Sequence, residues 1–211
     1  MISIAIPTGV LTQGALDLLA RSDLANLSGE ELGRRLLVET PSLRVILVRP
    51  ADVPAYVDHG AADLGIVGKD ILWESPGRHY ELVNLCFGDC RLVLAVPEGS
   101  SMDGPETWPP TLRIATKYPR TATAWFEARS QAVEVVRLHG SVELAPQVGL
   151  VDGIVDLTAT GRTLRENGLR VVAVLGTSTA RLIANQASLK TRTAAVQAAV
   201  SKLREAAGDG R

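Results

Sequence analysis

Aromatic residues make up only 4% of this 211-residue chain, and its 22 Lys and Arg are offset by 23 Asp and Glu, for a formal charge of −1. A nucleic-acid-binding surface draws on a basic patch and stacking rings, so this composition argues against one. No apolar run approaches the roughly 20 residues that a membrane-spanning helix needs, and Met1-Ile-Ser-Ile lacks the basic start of a secretion signal. A cytoplasmic location is therefore expected. Cysteine is equally scarce: Cys86 and Cys90 flank Phe-Gly-Asp, with no second pair and no adjacent His. That is no metal motif, and a reducing compartment disfavours a disulfide, so buried or edge thiols are expected. Internal repeats and low-complexity segments are absent. What remains, 46% hydrophobic and 21% charged residues, is the composition of a globular protein with ample length for a core.

The chain alternates short apolar runs with helical patterns. Ile2 to Ile6 reads as a strand stopped by Pro7-Thr8-Gly9, and Val10 to Ala20 as a helix. Ser28-Gly-Glu-Glu31 has the form of a capping box, predicting a helix toward Leu37 that carries Arg34 and Arg35. Val45 to Val48 reads as a buried parallel strand ending at Arg49-Pro50, after which Asp52 caps a helix over Val53 to His59. Asp63 to Val67 is a further strand leading into Gly68-Lys69-Asp70, whose short spacing and lack of Ser or Thr after the lysine exclude a nucleotide-binding P-loop. Gly68 nonetheless lies where open α/β sheets bind ligands.

Strands follow at Leu82 to Leu85 and Arg91 to Val96, then an excursion from Pro97 to Pro110 that reads as mobile, with four prolines and no motif. Beyond it come a strand (Arg113 to Thr116), a helix (Pro119 to Gln131), a strand (Val133 to Leu138) and a helix from Ser141 to Leu150 capped by Ser141. Strands at Leu169 to Leu175 and Ala180 to Asn185 precede a closing helix from Ser188 to Ala207. The series predicts α/β architecture in two lobes, with ligands in a cleft between two α/β domains as in periplasmic-binding-protein-like folds. The expected domains are residues 1–88 plus 176–211, and residues 89–175.

The stretch most suggestive of chemistry is Gly153-Ile-Val-Asp156-Leu-Thr158-Ala159-Thr160-Gly161-Arg162-Thr163-Leu, a strand, a tight loop and a helix start ending near Gly168. Backbone N–H groups, a helix dipole and the hydroxyls of Thr158, Thr160 and Thr163 suit a phosphate monoester, and Asp156 suits two vicinal hydroxyls. Ordinary capping and backbone freedom explain Thr and Gly at such a turn equally well.

A resemblance separates these readings. Asp-x-x-x-Thr-Gly-x-Thr-Leu resembles the phosphoribosyl pyrophosphate loop of phosphoribosyltransferases. Leu47 to Val57, His59 to Asp70, Arg113 to Pro119 and Gly140 to Pro146 add four blocks similar to short-form ATP phosphoribosyltransferase, in the right order and over nearly the whole chain. The resemblance implies transfer of a 5-phosphoribosyl group from phosphoribosyl pyrophosphate to N1 of ATP, releasing pyrophosphate, in the first step of histidine biosynthesis. It also implies Mg²⁺ carried largely by substrate phosphates, a catalytic homodimer, and a hetero-octamer with a regulatory subunit similar to histidyl-tRNA synthetase. The C-terminal regulatory domain of long-form relatives has no length here, and by the same resemblance regulation would come from a separate subunit.

Carried over residue by residue, Thr158, Ala159, Thr160, Gly161, Arg162 and Thr163 would hold the 5-phosphate and Asp156 the ribose hydroxyls. Arg34 would reach the pyrophosphate region, with Arg49 as a second catalytic cation. Gly68, Lys69, Asp70 and Glu143 would take ATP. Arg34 and Arg49 are alternatively a solvated charge and a strand anchor, and Glu143 a first-turn carboxylate. His139, beside the Glu143 block, is alternatively a structural histidine. One departure stands out: the family's Pro-Lys-Gly-Arg-Leu is here Pro7-Thr8-Gly9-Val10-Leu11. Loss of both cations leaves Arg35, Lys117 and Arg162 as substitutes, and it admits a degenerate, non-catalytic paralogue as the alternative function. A simple anion-binding protein is a further alternative, one that predicts a secretion signal.

Overall fold

A computed structural model describes residues 1–27 and 35–208. The chain divides into two compact units, residues 1–89 with 179–211, and residues 90–178, so it passes between them twice. The second unit extends past residue 175 because its last strand stays paired as far as Ser178, opposite Cys90.

In the first unit, β1 (Ile2–Pro7) leads through α1 (Thr12–Arg21) and β2 (Leu37–Glu39) to β3 (Leu43–Val48). A 3₁₀ turn (Pro50–Asp52) and α2 (Val53–Asp58) then lead to β4 (Leu64–Gly68), α3 (Lys69–Glu74) and β5 (Tyr80–Asn84). The returning chain contributes β11 (Ala180–Ala184), α7 (Gln186–Thr191) and α8 (Thr193–Ala207). The six-stranded sheet has the order β2-β3-β1-β4-β11-β5. β1 lies parallel to both β3 and β4, with Ile4 opposite Val45 and Leu64. α1 buries Ala15, Leu16, Leu18 and Leu19, the spacing of one helical stripe. These pack with Ile4, Ile6, Leu43, Ile66, Leu182 and α8's Val196 and Leu203 in one core. A second cluster around Val53, Val57, Val67 and Ile183 involves α2. Full burial of such Leu, Ile and Val side chains stabilises by about 1.5–3 kcal/mol each before entropy is counted.

The second unit runs β6 (Cys90–Pro97), β7 (Thr111–Thr116), α4 (Pro119–Glu127), β8 (Ala132–Arg137), α5 (Leu144–Gln147), β9 (Gly153–Thr158), α6 (Arg162–Glu166) and β10 (Leu169–Ser178). Its sheet order is β10-β6-β9-β7-β8, with β7 parallel to β8 and β9 and β6 antiparallel to β9.

Several local expectations change. The capping box and Arg34 fall outside the described residues, and Leu37 lies in β2 because Val38 pairs with Val45. Asp52 makes no side-chain cap; it belongs to the 3₁₀ turn set by Pro50. The segment from Pro97 to Pro110 is anchored, not loose. Trp108 is buried in edge contact with Phe126, and Arg170 donates to the carbonyl of Ser100 at 2.8 Å and pairs with Asp103 at 2.7 Å. The helix expected from Ser141 to Leu150 shrinks to four residues, since Ser141 at φ +45° cannot take the extended backbone of an N-cap and Gly149 at φ +70° stops the turn. The closing helix breaks at Arg192. Cys86 is exposed at φ +56°, not buried.

Candidate functional site

Each unit contains a point where the connections leaving two adjacent parallel strands diverge to opposite sides, the position at which open α/β sheets bind ligands beyond the strands' C-terminal ends. In the second unit this point lies between β7 and β9. From β7 the chain goes through α4 out to β8, whereas from β9 it goes through α6 to β10 at the other edge. Asp156, Thr158 and the 158–163 loop sit at the end of β9, and Lys117 follows β7 directly.

Asp156 is almost fully buried, and burial pushes its carboxyl above the ordinary range. Lys117, with Nζ 3.8 Å from Oδ2, and the Leu157 N–H, which donates to Oδ1 at 2.9 Å, pull it part of the way back. Glu143 pushes it up again, so Glu143 shares Asp156's electrostatic surroundings. A buried carboxylate served by one N–H and one loosely placed ammonium has acceptor capacity to spare, which is what two vicinal hydroxyls require.

The loop after it is preformed. Gly161 adopts φ +73°, a left-handed conformation that costs a residue bearing a Cβ roughly 1–2 kcal/mol. Its N–H donates to Thr158 Oγ1 at 2.8 Å, and the Arg162 N–H reaches Thr160 Oγ1 at 3.4 Å. The Arg165 guanidinium donates to the Thr160 carbonyl at 3.2 Å, holding the bend from behind. α6 has only five residues, so the aligned helix dipole expected from sequence is weak, and an anion here depends on the local N–H groups, the hydroxyls and Arg162. Arg162 Nε rests on Glu166 at 2.7 Å on an exposed surface, an ion pair weak enough to give way. Ala159 and Thr163 complete the loop, Ala159 as its exposed bend residue and Thr163 in the first turn of α6.

The first unit's divergence lies between β1 and β4. The turn after β1 is built by backbone: Thr8 N–H donates to Val48 at 2.8 Å, Thr12 Oγ1 to Pro7 at 3.0 Å, and Gly9 takes φ +93°. Val10 is 96% exposed at its tip. β4 ends on Gly68, whose Cα is covered by the buried Asp70: a Cβ there would stand 2.3 Å from Asp70 Oδ1. Lys69, expected to take ATP, is tied to Glu81 of β5, with Arg181 of β11 beside the same carboxylate. Arg49 is exposed at the end of β3, and Arg35 is exposed too. Thus the described sequence candidates divide between the two units, with Glu143, Asp156 and the loop in the second and Arg49, Gly68, Lys69 and Asp70 in the first.

Sequence reasoning named Lys117 only as a replacement cation, and it missed Glu81 and Arg181. A lone charge in the otherwise apolar Ala180-Arg-Leu-Ile-Ala184 was the available signal. His139 and His59 are exposed, and His79 Nδ1 lies 2.9 Å from Asp58, a local structural contact. Among the described residues no group of three or more His, Cys, Asp or Glu side chains forms a metal cage, and no helix is long and apolar enough to cross a membrane.

Comparison with known proteins gives one consistent picture. The family model HisG, ATP phosphoribosyltransferase, matches residues 49–205. The chain is 44% identical over 212 residues to the ATP phosphoribosyltransferase of Caldanaerobacter subterraneus subsp. tengcongensis, covering 100% of this chain and 99% of that one. The solved ATP phosphoribosyl transferase (HisG:HisZ) complex from Thermotoga maritima contains a chain that superposes with a TM-score of 0.83 at 33% identity, covering 99% of this chain and 100% of that one. The periplasmic aliphatic sulphonate binding protein SsuA of Escherichia coli, at 16% identity and TM-score 0.59 over 98% of this chain and 72% of its own, shares the two-unit fold.

Proposed function

The chain belongs to the ATP phosphoribosyltransferase family, and we propose that it performs that family's reaction, with the phosphoribosyl pyrophosphate end of the site built on β9 and the 158–163 loop. In this reaction N1 of the adenine attacks the anomeric carbon of phosphoribosyl pyrophosphate. A carbon–nitrogen bond forms as the carbon–oxygen bond to pyrophosphate breaks, and the leaving group departs with the bonding electron pair. The product is the first intermediate of histidine biosynthesis.

The observation that carries this reading is the buried, underserved Asp156 immediately before a preformed hydroxyl-and-amide loop at a sheet divergence. Asp156 would accept hydrogen bonds from the ribose hydroxyls, while Thr158, Ala159, Thr160, Gly161, Arg162 and Thr163 hold the 5-phosphate. Fixing both ends of the sugar orients its anomeric carbon, and such orientation is a large share of what an enzyme contributes to joining two substrates. Lys117 adds a cation at the sugar's side. Developing charge on the leaving group falls to cations, of which Arg49 and Arg34 are the proposed members, Arg34 lying outside the described residues. Glu143, electrostatically coupled to Asp156, would sit at the ribose or purine side, and Gly68, Lys69 and Asp70 would serve ATP. Mg²⁺ fits as an ion carried on substrate phosphates, where it would neutralise charge; among the described residues the protein's own oxygen donors offer it no closed cage. The relatives bear the enzyme's name, and no finding favours a degenerate paralogue.

A cytoplasmic homodimer joined by a subunit similar to histidyl-tRNA synthetase, up to a hetero-octamer, is the assembly proposed for this chain; the relative solved as a HisG:HisZ complex supports a partner of that kind. The test is purified chain with ATP, phosphoribosyl pyrophosphate and Mg²⁺, following pyrophosphate release and the purine adduct together, with and without that subunit. Appearance of both products supports the reading. Binding of phosphoribosyl pyrophosphate with neither product, even with the subunit present, overturns it.

A further inference from the structure

Lys69, Glu81 and Arg181 form a three-charge cluster at the C-terminal end of β4. Arg181 stands opposite Val67 on β4 and opposite Asn84 on β5, and Ile183, two residues on, stands opposite Glu81. Alternation along β11 puts Arg181 and Ile183 on one face, and a register irregularity between Leu182 and Ile183 brings Glu81 opposite Ile183 on that same face. Lys69, the first residue of α3, reaches Glu81 Oε2 in a close ion pair, and its own N–H donates to the Thr179 carbonyl at 3.0 Å beside Arg181's strand. All three side chains are roughly one-third exposed or less.

The cluster is unbalanced in a specific way. Two cations share one carboxylate, and the geometry favours the lysine. Arg181 Nε lies 3.6 Å from Glu81 Oε1, too far for a hydrogen bond, and it is buried with no acceptor among the described residues. A buried N–H left without a partner is a standing cost. Should Lys69 leave, Arg181 needs to close by less than an ångström to make a full charge-assisted bond (about 2.8 Å) with Glu81. The carboxylate is then never stranded, and the arginine gains what it lacks.

We infer that Glu81 is a positioning residue for Lys69, holding it off the phosphate chain of the incoming nucleotide until that chain competes for the ammonium, and that Arg181 takes over Glu81 when Lys69 transfers. This rests on the proposed placement of ATP beside Gly68, Lys69 and Asp70. Its significance lies in the turn after β1, where Thr8, Gly9 and Val10 offer no charge. Lys69 is then, with Arg49, one of the positive charges at this end of the first unit, and the exchange sets how readily it reaches the polyphosphate.

The inference demands effects of opposite sign. In Glu81→Gln, Lys69 loses its competitor, and KM for ATP and the ATP dissociation constant fall about two- to fivefold, the range of a partly exposed ion pair. In Arg181→Met, Glu81 depends on Lys69 alone, and both values rise by a similar factor. KM for phosphoribosyl pyrophosphate stays in place in each, and Glu81→Asp returns toward the parent. A purely structural cluster would make both variants worse in the same direction and lower their melting temperatures together; that result overturns the inference. Lys69→Ala separates the two levels. If it weakens ATP binding while the other variants move alike, only the exchange is wrong; if it leaves ATP binding untouched, the placement of ATP falls and the exchange with it.

Discussion

The two units repeat one topology with different chemistry at the same point. Read outward, β3-β1-β4-β11-β5 and β8-β7-β9-β6-β10 match strand for strand: three parallel strands, then an antiparallel neighbour, then an edge. At the end of β9 stand a buried carboxylate with unused acceptor capacity and a loop of hydroxyls. At the end of β4 stand a glycine pressed against Asp70 and a lysine already engaged by Glu81. The divergence of strand connections creates a place for a ligand in both units, but side chains decide which ligand, and whether its partner groups are waiting or occupied.

Two buried aspartates show how to tell structure from site. Asp63, before β4, lies at the opposite end of the strand from Lys69. Burial alone would raise its carboxyl, but bonds from Ser188 Oγ (2.7 Å), Ser3 N–H (2.8 Å), Arg192 (2.7 Å) and Ser3 Oγ (3.0 Å) outweigh that and hold it below the ordinary range. Asp156 has fewer donors and is displaced the other way. The first carboxylate is saturated by its own fold; the second is left for something else.

The largest expected change breaks the saturated member. Asp63→Asn removes a hydrogen-bonded charge pair tying β1 to Arg192, and urea denaturation should show a loss of about 3 kcal/mol at neutral pH. Because Asp63 is held low, that contribution is present above the ordinary carboxylate value and disappears as pH falls through its folded-state value. Wild type and variant should converge in acid.

Asp156→Asn should act in reverse. Calorimetry should show phosphoribosyl pyrophosphate binding weakened about 10- to 100-fold, the worth of a hydrogen bond to a charged group. Since the folded-state value is raised, stability falls as pH rises from the ordinary carboxylate value through the raised one. At neutral pH the variant should therefore melt higher, by about 2–4 °C for each kcal/mol of burial cost relieved. Gly68→Ala sharpens the contrast at β4, because the new Cβ must displace Asp70; a loss of about 1–3 kcal/mol in urea is expected. Lys117→Met withdraws a group that lowers Asp156, so the acid limb of the rate profile should move to higher pH, with about a tenfold loss of turnover. The smallest change is expected from Val10→Arg, which returns one cation to the exposed turn and should raise turnover about twofold in a steady-state assay.

Much of this was legible in residues. Alternating apolar runs gave nearly every strand, and the spacing from Asp156 to Thr163 gave the loop, because both depend on local periodicity and turn chemistry. The repeated topology was not visible, since the two units satisfy one fold with unrelated side chains. The engagement of Lys69 was hidden for a similar reason: Glu81 and Arg181 meet it only through the β4-β11-β5 register. Pro97 to Pro110 looked loose because its anchors, Phe126 and Arg170, are distant in sequence.

The most direct test of the account is a pair of titrations with phosphoribosyl pyrophosphate at neutral pH, on the wild-type chain and on Asp156→Asn, each with its melting curve. Weakened binding together with a higher melting temperature is the predicted result. Unchanged binding, or lower stability with unchanged binding, would contradict the assignment of Asp156 as a carboxylate reserved for the sugar.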